Sequence, residues 1–171
     1  MRWGGDLLVW KVAAATSAAP TYFAPVQLGD ADSHIDGGVW GNNPALVGIT
    51  EAVRYFGRNL DEIYLLSVGT TSYPLRTRSH HEAAKMGLRQ WAWKTLDLLQ
   101  GSSSMAANRQ AGLLLGPDKY LRLDSELARK VKLDDAKQCR PLEEWGHDVG
   151  RNHINAIQRL LNLGTSTTGM Q

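Results

Sequence analysis

Residues 62–68, Glu-Ile-Tyr-Leu-Leu-Ser-Val, form a nearly continuous apolar run that ends at Gly69. A strand that is apolar on both faces is typical of a parallel sheet with helices covering its two sides. An amphipathic helix is predicted just before this strand, because apolar residues recur at helical spacing from Leu46 to Phe56. A short strand, His34-Ile35, precedes that helix. The order strand, helix, strand is one βαβ unit and favours an α/β fold.

A carboxylate and two glycines lie between the first strand and the helix, in the order Asp36-Gly37-Gly38. The glycines remove side chains from the path beside Asp36, so the backbone can turn sharply and another group can approach the carboxylate. Active-site groups of α/β folds tend to lie at such strand ends. The alternative is a turn carboxylate that is hydrogen-bonded to nearby backbone amides, and Asp-Gly-Gly alone does not separate the two.

The other segments follow from the same kind of signal. Residues 6–19 favour a helix that ends near Thr16 or Ser17, because a proline follows at position 20. For the helix after the glycines, Asn43 is a good cap and Pro44 suits the first helical position. Gly57 is predicted to end that helix.

The second half of the chain is predicted to be mostly helical. Two helical pieces, 83–99 and 105–114, are expected on either side of a break at Gly101-Ser102-Ser103-Ser104. Residues 119–124 alternate apolar and polar side chains, as a half-exposed strand does. Pro141 is predicted to open a final helix that runs to about Leu163.

Composition limits the class of protein. The chain has 171 residues and a net charge of +2, which allows one globular core and gives no electrostatic argument for a nucleic-acid partner. The single cysteine, Cys139, excludes an internal disulfide and favours a reducing compartment, so we expect a cytoplasmic location. No stretch approaches the roughly 18 to 20 apolar residues of a membrane-spanning helix.

Two segments are more informative together than either is alone. Residues 15–25 read Ala-Thr-Ser-Ala-Ala-Pro-Thr-Tyr-Phe-Ala-Pro, and residues 35–45 read Ile-Asp-Gly-Gly-Val-Trp-Gly-Asn-Asn-Pro-Ala. In order and spacing they resemble the second half of the patatin-like phospholipase domain, and the strand that ends in Ser-Val-Gly-Thr at residues 67–70 fits as well. The resemblance is close over residues 10–71. It implies a three-layer α/β/α sandwich with a mostly parallel central sheet.

The resemblance also implies a function. Members of this family are lipid acyl hydrolases, phospholipases or esterases, that use a Ser-Asp dyad without a cofactor or metal. Asp36 matches the dyad aspartate, and Gly37, Gly38, Asn42 and Asn43 match the motif around it. In the family the serine lies on a G-x-S-x-G elbow, and a separate glycine-rich loop forms the oxyanion hole.

The sequence departs from this pattern in one respect. No G-x-S-x-G occurs in residues 1–171, and no glycine-rich oxyanion loop precedes Asp36. We therefore expect residues 1–163 to be the C-terminal portion of a patatin-like domain, residues 164–171 to be a disordered tail, and the chain alone to be inactive. The alternative function is a non-catalytic, truncated remnant or interaction module that keeps this half of the fold. Expected partners are a lipid or acyl-ester substrate, a peripheral membrane surface, the missing N-terminal half and a second copy.

Several other residues have two interpretations. Ser17 is a substitute nucleophile or a residue that bonds locally at a helix end. The pairs His80-His81 and His147/His153 suggest a metal site, but their spacing fits no i, i+4 pair on a helix and a polar loop explains the first pair.

Two basic segments are also open to two interpretations. Residues 85–99 place Trp91 and Trp93 among basic side chains, which suits a lipid headgroup boundary or a buried helix face. Residues 119–122, beside residues 129–130, fit a phosphate site or a solvated edge.

Overall fold

The computed structural model describes residues 7–29, 32–71, 84–127, 131–132 and 134–167. The predicted loop at 72–82, with its histidine pair, lies outside the described residues, as do the basic residues 129–130. The side chain of Trp93 is also outside them.

The first helix, α1, spans Val9–Thr16 and ends where the sequence predicts. The Ser17 hydroxyl donates to Ala13 O at 2.7 Å and thereby occupies a carbonyl at the end of the helix. A hairpin follows, in which β1 (Val26–Leu28) pairs antiparallel with β2 (Asp32–His34). Between α1 and this hairpin the chain turns over residues 20–22, and the first strand begins at Val26.

The chain then forms the short helix α2, Gly38–Gly41, and the longer helix α3, Ala45–Phe56. As predicted, Gly57 ends α3: it adopts a left-handed conformation with φ of 63°, which glycine reaches without a steric penalty. Pro44 lies directly before the first helical residue, one position earlier than the sequence predicts.

A parallel pair of strands supports the α/β fold class. After a 3₁₀ turn at Leu60–Glu62, β3 spans Leu65–Val68 and pairs in parallel with β4, Tyr120–Leu123. The predicted βαβ unit is wrong in one detail, because β2 belongs to the hairpin and does not pair with β3. The crossover between the parallel strands contains the long helix α4.

Helix α4 spans Leu88–Leu115 without interruption, so the predicted break at residues 101–104 is wrong. The Ser102 hydroxyl donates to Leu98 O, one turn back, at 2.6 Å. A serine that bonds in this way stays within a helix, and packing of the following turns then outweighs the low helix propensity of the Gly-Ser run.

The last helix, α5, spans Cys139–Thr167 and follows a 3₁₀ turn at Ala136–Gln138. It starts two residues before Pro141, which still lies in the first turn, where a missing N–H costs nothing. The helix also continues past the end expected at Leu163. The start of the predicted tail, Gly164, therefore falls inside α5.

The main apolar core lies where α3 crosses α4. It consists of Ala45 and Ile49 from α3 and Ala111 and Leu115 from α4. Partly buried side chains of α3, of β3 and the segment just before it, and of β4 pack against it: Leu46, Ile63, Leu65 and Tyr120. Among the helices that the structure describes, none has an apolar stretch long enough to cross a bilayer.

Candidate active site

The turn that carries Asp36 is attached to the end of α1 by the backbone. Asp36 N–H donates to Ala18 O at 3.0 Å, and Gly37 N–H donates to Thr16 O at 3.2 Å. These two bonds bring together the segments 15–25 and 35–45. The two sequence motifs are thus one structural unit.

The Asp36 carboxylate is half-buried and is bonded locally. Its Oδ1 accepts from Gly38 N–H at 2.6 Å, while its backbone oxygen accepts from Val39 N–H at 3.1 Å. An aspartate that bonds the amide two residues ahead is a common turn arrangement. Among the described residues, Oδ2 receives no hydrogen bond, so only one of the two carboxylate oxygens has a partner there.

Close packing explains the two glycines after Asp36. A Cβ on Gly38 would lie 2.9 Å from Asp36 Oδ1, and a Cβ on Gly37 would lie 3.0 Å from Thr16 Oγ1. Both distances are below ordinary van der Waals contact. The glycines therefore allow the carboxylate to fold back over the turn and allow the turn to approach α1.

The two asparagines of the motif differ. Asn42 is exposed, and its Oδ1 would lie 3.4 Å from a Cβ on Gly38, at the edge of the same turn. Asn43 is only 4% exposed. Its Oδ1 accepts from Ala45 N–H at 3.1 Å. The cap position of α3 is occupied by Pro44, however, so the predicted cap at Asn43 is wrong by one residue.

Apolar side chains next to Asp36 in the sequence are exposed. Trp40 is 79% exposed, and Ile35 and Val39 are exposed by nearly half. At the far end of α1, Trp10 is also exposed, and Lys11 Nζ lies 5.8 Å from the centre of its ring.

A second polar cluster lies at the carboxyl ends of the parallel strands. Arg122 donates to Ser67 Oγ at 2.8 Å and to Asp124 Oδ2 at 2.7 Å, and Asp124 Oδ1 accepts from Ser125 N–H. The sequence did not predict this cluster. Two features of the sequence could have indicated it: Ser67 lies within an apolar strand, and the charged residues Arg122 and Asp124 are separated by one apolar residue.

The hydrogen bonds of Ser17, Lys119 and Arg122 bear on the two interpretations that the sequence left open for each of them. The Ser17 hydroxyl is directed to the end of α1, as its interpretation as a local cap predicts. Lys119 Nζ donates to Asp61 O at 2.6 Å, and Arg122 pairs with Asp124, so both cations have partners within the protein.

The histidines and the tryptophan helix can also be placed. His153 Nδ1 lies 2.8 Å from Val149 O within α5. Within the part of the chain that the structure describes, no three metal-binding side chains come together. On α4, Leu88 is 87% exposed and Trp91 is 41% exposed, so neither is buried there.

Comparison with known proteins points to one family. A family model described as patatin-like phospholipase matches residues 4–49, which include both motifs and the Asp36 turn. A cGAMP-activated phospholipase of Escherichia coli is 42% identical over an alignment that covers 93% of this chain and 50% of that protein.

Two other relatives are also a phospholipase and a patatin-like protein. A cGAMP-activated phospholipase of Vibrio cholerae is 34% identical, with 77% of this chain and 42% of the relative covered. Patatin-like protein 4 of Arabidopsis thaliana is 30% identical, with coverage of 91% and 46%. The chain thus spans about half the length of the known relatives that it matches.

Proposed function

Because the chain belongs to the patatin-like phospholipase family, we propose that it supplies the general-base aspartate, Asp36, to a hydrolase of lipid acyl esters. The observation that carries the proposal is the Asp36 carboxylate itself. It is half-buried at the turn that joins the two family motifs, with Oδ1 bonded to Gly38 N–H. Among the described residues, its Oδ2 receives no hydrogen bond.

The proposed chemistry uses that oxygen. A serine hydroxyl is a weak nucleophile and needs a base within hydrogen-bond reach. Asp36 Oδ2 takes the hydroxyl proton as the serine oxygen attacks the ester carbonyl carbon. When the tetrahedral intermediate collapses, the leaving alcohol takes that proton from Asp36. In the second half of the reaction, Asp36 deprotonates a water that attacks the acyl-serine. As the bond to the serine oxygen breaks and the fatty acid leaves, Asp36 returns that proton to the serine oxygen.

The serine of the proposed dyad lies outside residues 1–171, since no G-x-S-x-G occurs within them. We propose that the segment carrying it packs on the apolar surface around Asp36, which includes Ile35, Val39 and the 79%-exposed Trp40. Burial of that surface would also remove water from the carboxylate and strengthen its interaction with the serine. In the absence of such a segment, a second copy of the chain is the proposed occupant of the same surface.

A peripheral contact with a membrane is the second part of the proposal. Leu88 and Trp91 are exposed at the start of α4, close in sequence to the exposed Lys85. Tryptophan and lysine together suit the boundary between headgroups and acyl chains. This arrangement would bring the protein to the surface where its lipid substrate resides.

The test of the catalytic proposal joins this chain to a patatin-like segment that carries G-x-S-x-G and measures ester hydrolysis. Asp36→Asn should lower kcat by about 10²- to 10⁴-fold, the range for loss of a general base. Asp32→Asn, a matched change at an exposed residue of β2, should leave kcat unchanged. Full activity in a folded Asp36→Asn protein would refute the assignment.

The absence of G-x-S-x-G from residues 1–171 also favours a second function, a non-catalytic interaction module that binds a protein through its exposed apolar surface. The two functions differ in one result of the same experiment. An interaction module would bind the added segment and yet show no ester hydrolysis above the background rate with any acyl chain tested.

A further inference from the structure

Asn43 uses both ends of its side-chain amide. It is 4% exposed, and its Oδ1 accepts from Ala45 N–H at the start of α3. Its Nδ2 donates to Ser104 O at 3.2 Å, in α4 and 61 positions further along the chain. A simple helix cap needs only the first of these bonds. The second bond has a different consequence, since it attaches the segment after Asp36 to another helix.

The segment between Asp36 and Asn43 is short, with six residues. It consists of α2, a single turn of helix, in which Gly41 N–H donates to Gly37 O at 2.8 Å. We therefore expect a displacement of Asn43 to displace the Asp36 turn as well. On its other side the backbone bonds to Thr16 O and Ala18 O hold the turn.

The Asp36 turn thus has two anchors, one on α1 and one on α4. We infer that Asn43 is a positioning residue that fixes the direction of the Asp36 carboxylate through its bond to Ser104 O. The inference deepens the proposed function and rests on it for its effect on catalysis. Its structural part, the coupling of Asn43 to the Asp36 turn, stands apart from any activity.

A single substitution separates the two bonds of Asn43. In Asn43→Asp, one carboxylate oxygen still accepts from Ala45 N–H, so the bond to the first residue of α3 is kept. The other oxygen faces the Ser104 carbonyl, and two acceptors that face each other repel. Asn43→Ser also keeps a side-chain oxygen that can accept from Ala45 N–H, but the serine side chain is too short to donate to Ser104 O. Asn152→Asp, on the exposed side of α5, is the matched control for the added charge.

The first measurement is independent of catalysis and uses the 171-residue chain. The Gly38 amide donates to Asp36 Oδ1 at 2.6 Å, so its hydrogen-exchange rate, followed by NMR, reports the carboxylate directly. In Asn43→Asp, we expect this amide to exchange about tenfold faster, the upper range of what one hydrogen bond contributes. Exchange in the middle of α5 should be unchanged, as it should be throughout Asn152→Asp.

The second measurement uses the chain joined to a serine-bearing segment. Asn43→Asp should lower kcat by about tenfold or more and leave KM within about twofold, because the base is misdirected while the substrate surface is intact. If Asp36→Asn keeps full activity, the proposed function is wrong, and the Gly38 exchange rate alone then decides the role of Asn43.

Unchanged exchange at Gly38 in a folded Asn43→Asp chain would overturn the inference. If that variant does not fold, the same comparison is made with Asn43→Ser, where unchanged exchange has the same meaning. Faster exchange throughout the chain would also count against the inference, because it would identify Asn43 as a residue that supports the whole fold and not the Asp36 turn in particular.

Discussion

Gly69 shows how closely single residues are fitted at the carboxyl ends of the parallel strands. Its N–H donates to Leu123 O at 2.7 Å, and a Cβ built on it would overlap the carboxylate of Asp124. That carboxylate is itself held by Arg122 and by Ser125 N–H. Neither Gly69 nor the Asp124 carboxylate can therefore move without breaking one of these hydrogen bonds.

We therefore expect Gly69→Ala to lower the free energy of unfolding by about 1–3 kcal/mol, the usual range for an overpacked site. The measurement is urea denaturation followed by circular dichroism. Gly48→Ala is the matched control, because a Cβ there meets nothing within 4 Å and the residue lies inside α3. The control should gain about 0.5–1 kcal/mol. Equal effects at the two glycines would contradict the packing described for Gly69.

Helix α4 connects the Asp36 region to the parallel strands through polar contacts at two of its turns. Near its middle, Ser104 O accepts from Asn43, and one turn later Asn108 Oδ1 accepts from the Tyr120 hydroxyl at 2.7 Å. Tyr120 also packs against the core formed by α3 and α4. The helix therefore fixes the start of β4 in relation to the start of α3.

Tyr120→Phe should remove about 1–2 kcal/mol from the free energy of unfolding, because it leaves the part-buried Asn108 oxygen without its donor. Tyr55→Phe, at an exposed position of α3, should change it by less than about 0.5 kcal/mol. Thermal denaturation of both variants gives the comparison. A loss at Tyr120 no larger than at Tyr55 would show that the bond contributes nothing to stability.

The elements show which features can be predicted from sequence. The end of α1 at Thr16 and the stop at Gly57 depend on local backbone chemistry, and the sequence predicts both. It places the start of α3 one residue too early, since the cap position is occupied by Pro44 and not by Asn43. The predicted break in α4 is wrong because serine hydroxyls can return to carbonyls of the preceding turn, as Ser102 does. The helix propensities of glycine and serine do not take this hydrogen bond into account.

Long-range pairings account for the other differences. The partner of β3 lies beyond α4, and nothing near residues 65–68 in sequence identifies it. The same holds for the bond from Asn43 to Ser104 and for the cluster of Ser67, Arg122 and Asp124. Of the candidate site, the identity of Asp36 and its glycines came from the sequence. The attachment of their turn to α1 and α4 required the structure.

In the molecule as a whole, large apolar side chains are exposed on several elements. They include Trp40 on α2, Phe56 at the end of α3, Val68 on β3 and Leu113 on α4. In the described part of the chain, β3 and β4 each pair on one side only, which leaves edges that a further strand can join. Surfaces of this kind favour association.

We therefore expect the isolated 171-residue chain to form oligomers that grow with protein concentration. Sedimentation velocity over a hundredfold range of concentration measures this directly. Addition of a serine-bearing patatin-like segment should reduce the oligomers, because it would compete for the same apolar surface. A monodisperse monomer at every concentration, with cooperative unfolding, would contradict the expectation.

The bonds between α1 and the Asp36 turn have a practical consequence for protein engineering. Both acceptors, Thr16 O and Ala18 O, are main-chain oxygens, which every amino acid supplies. The position of Asp36 therefore depends on the path of the backbone and not on the side chains of α1. Polar replacements at the outward-facing Val9 and Trp10 would then yield a better-behaved sample for spectroscopy with the Asp36 turn unaltered.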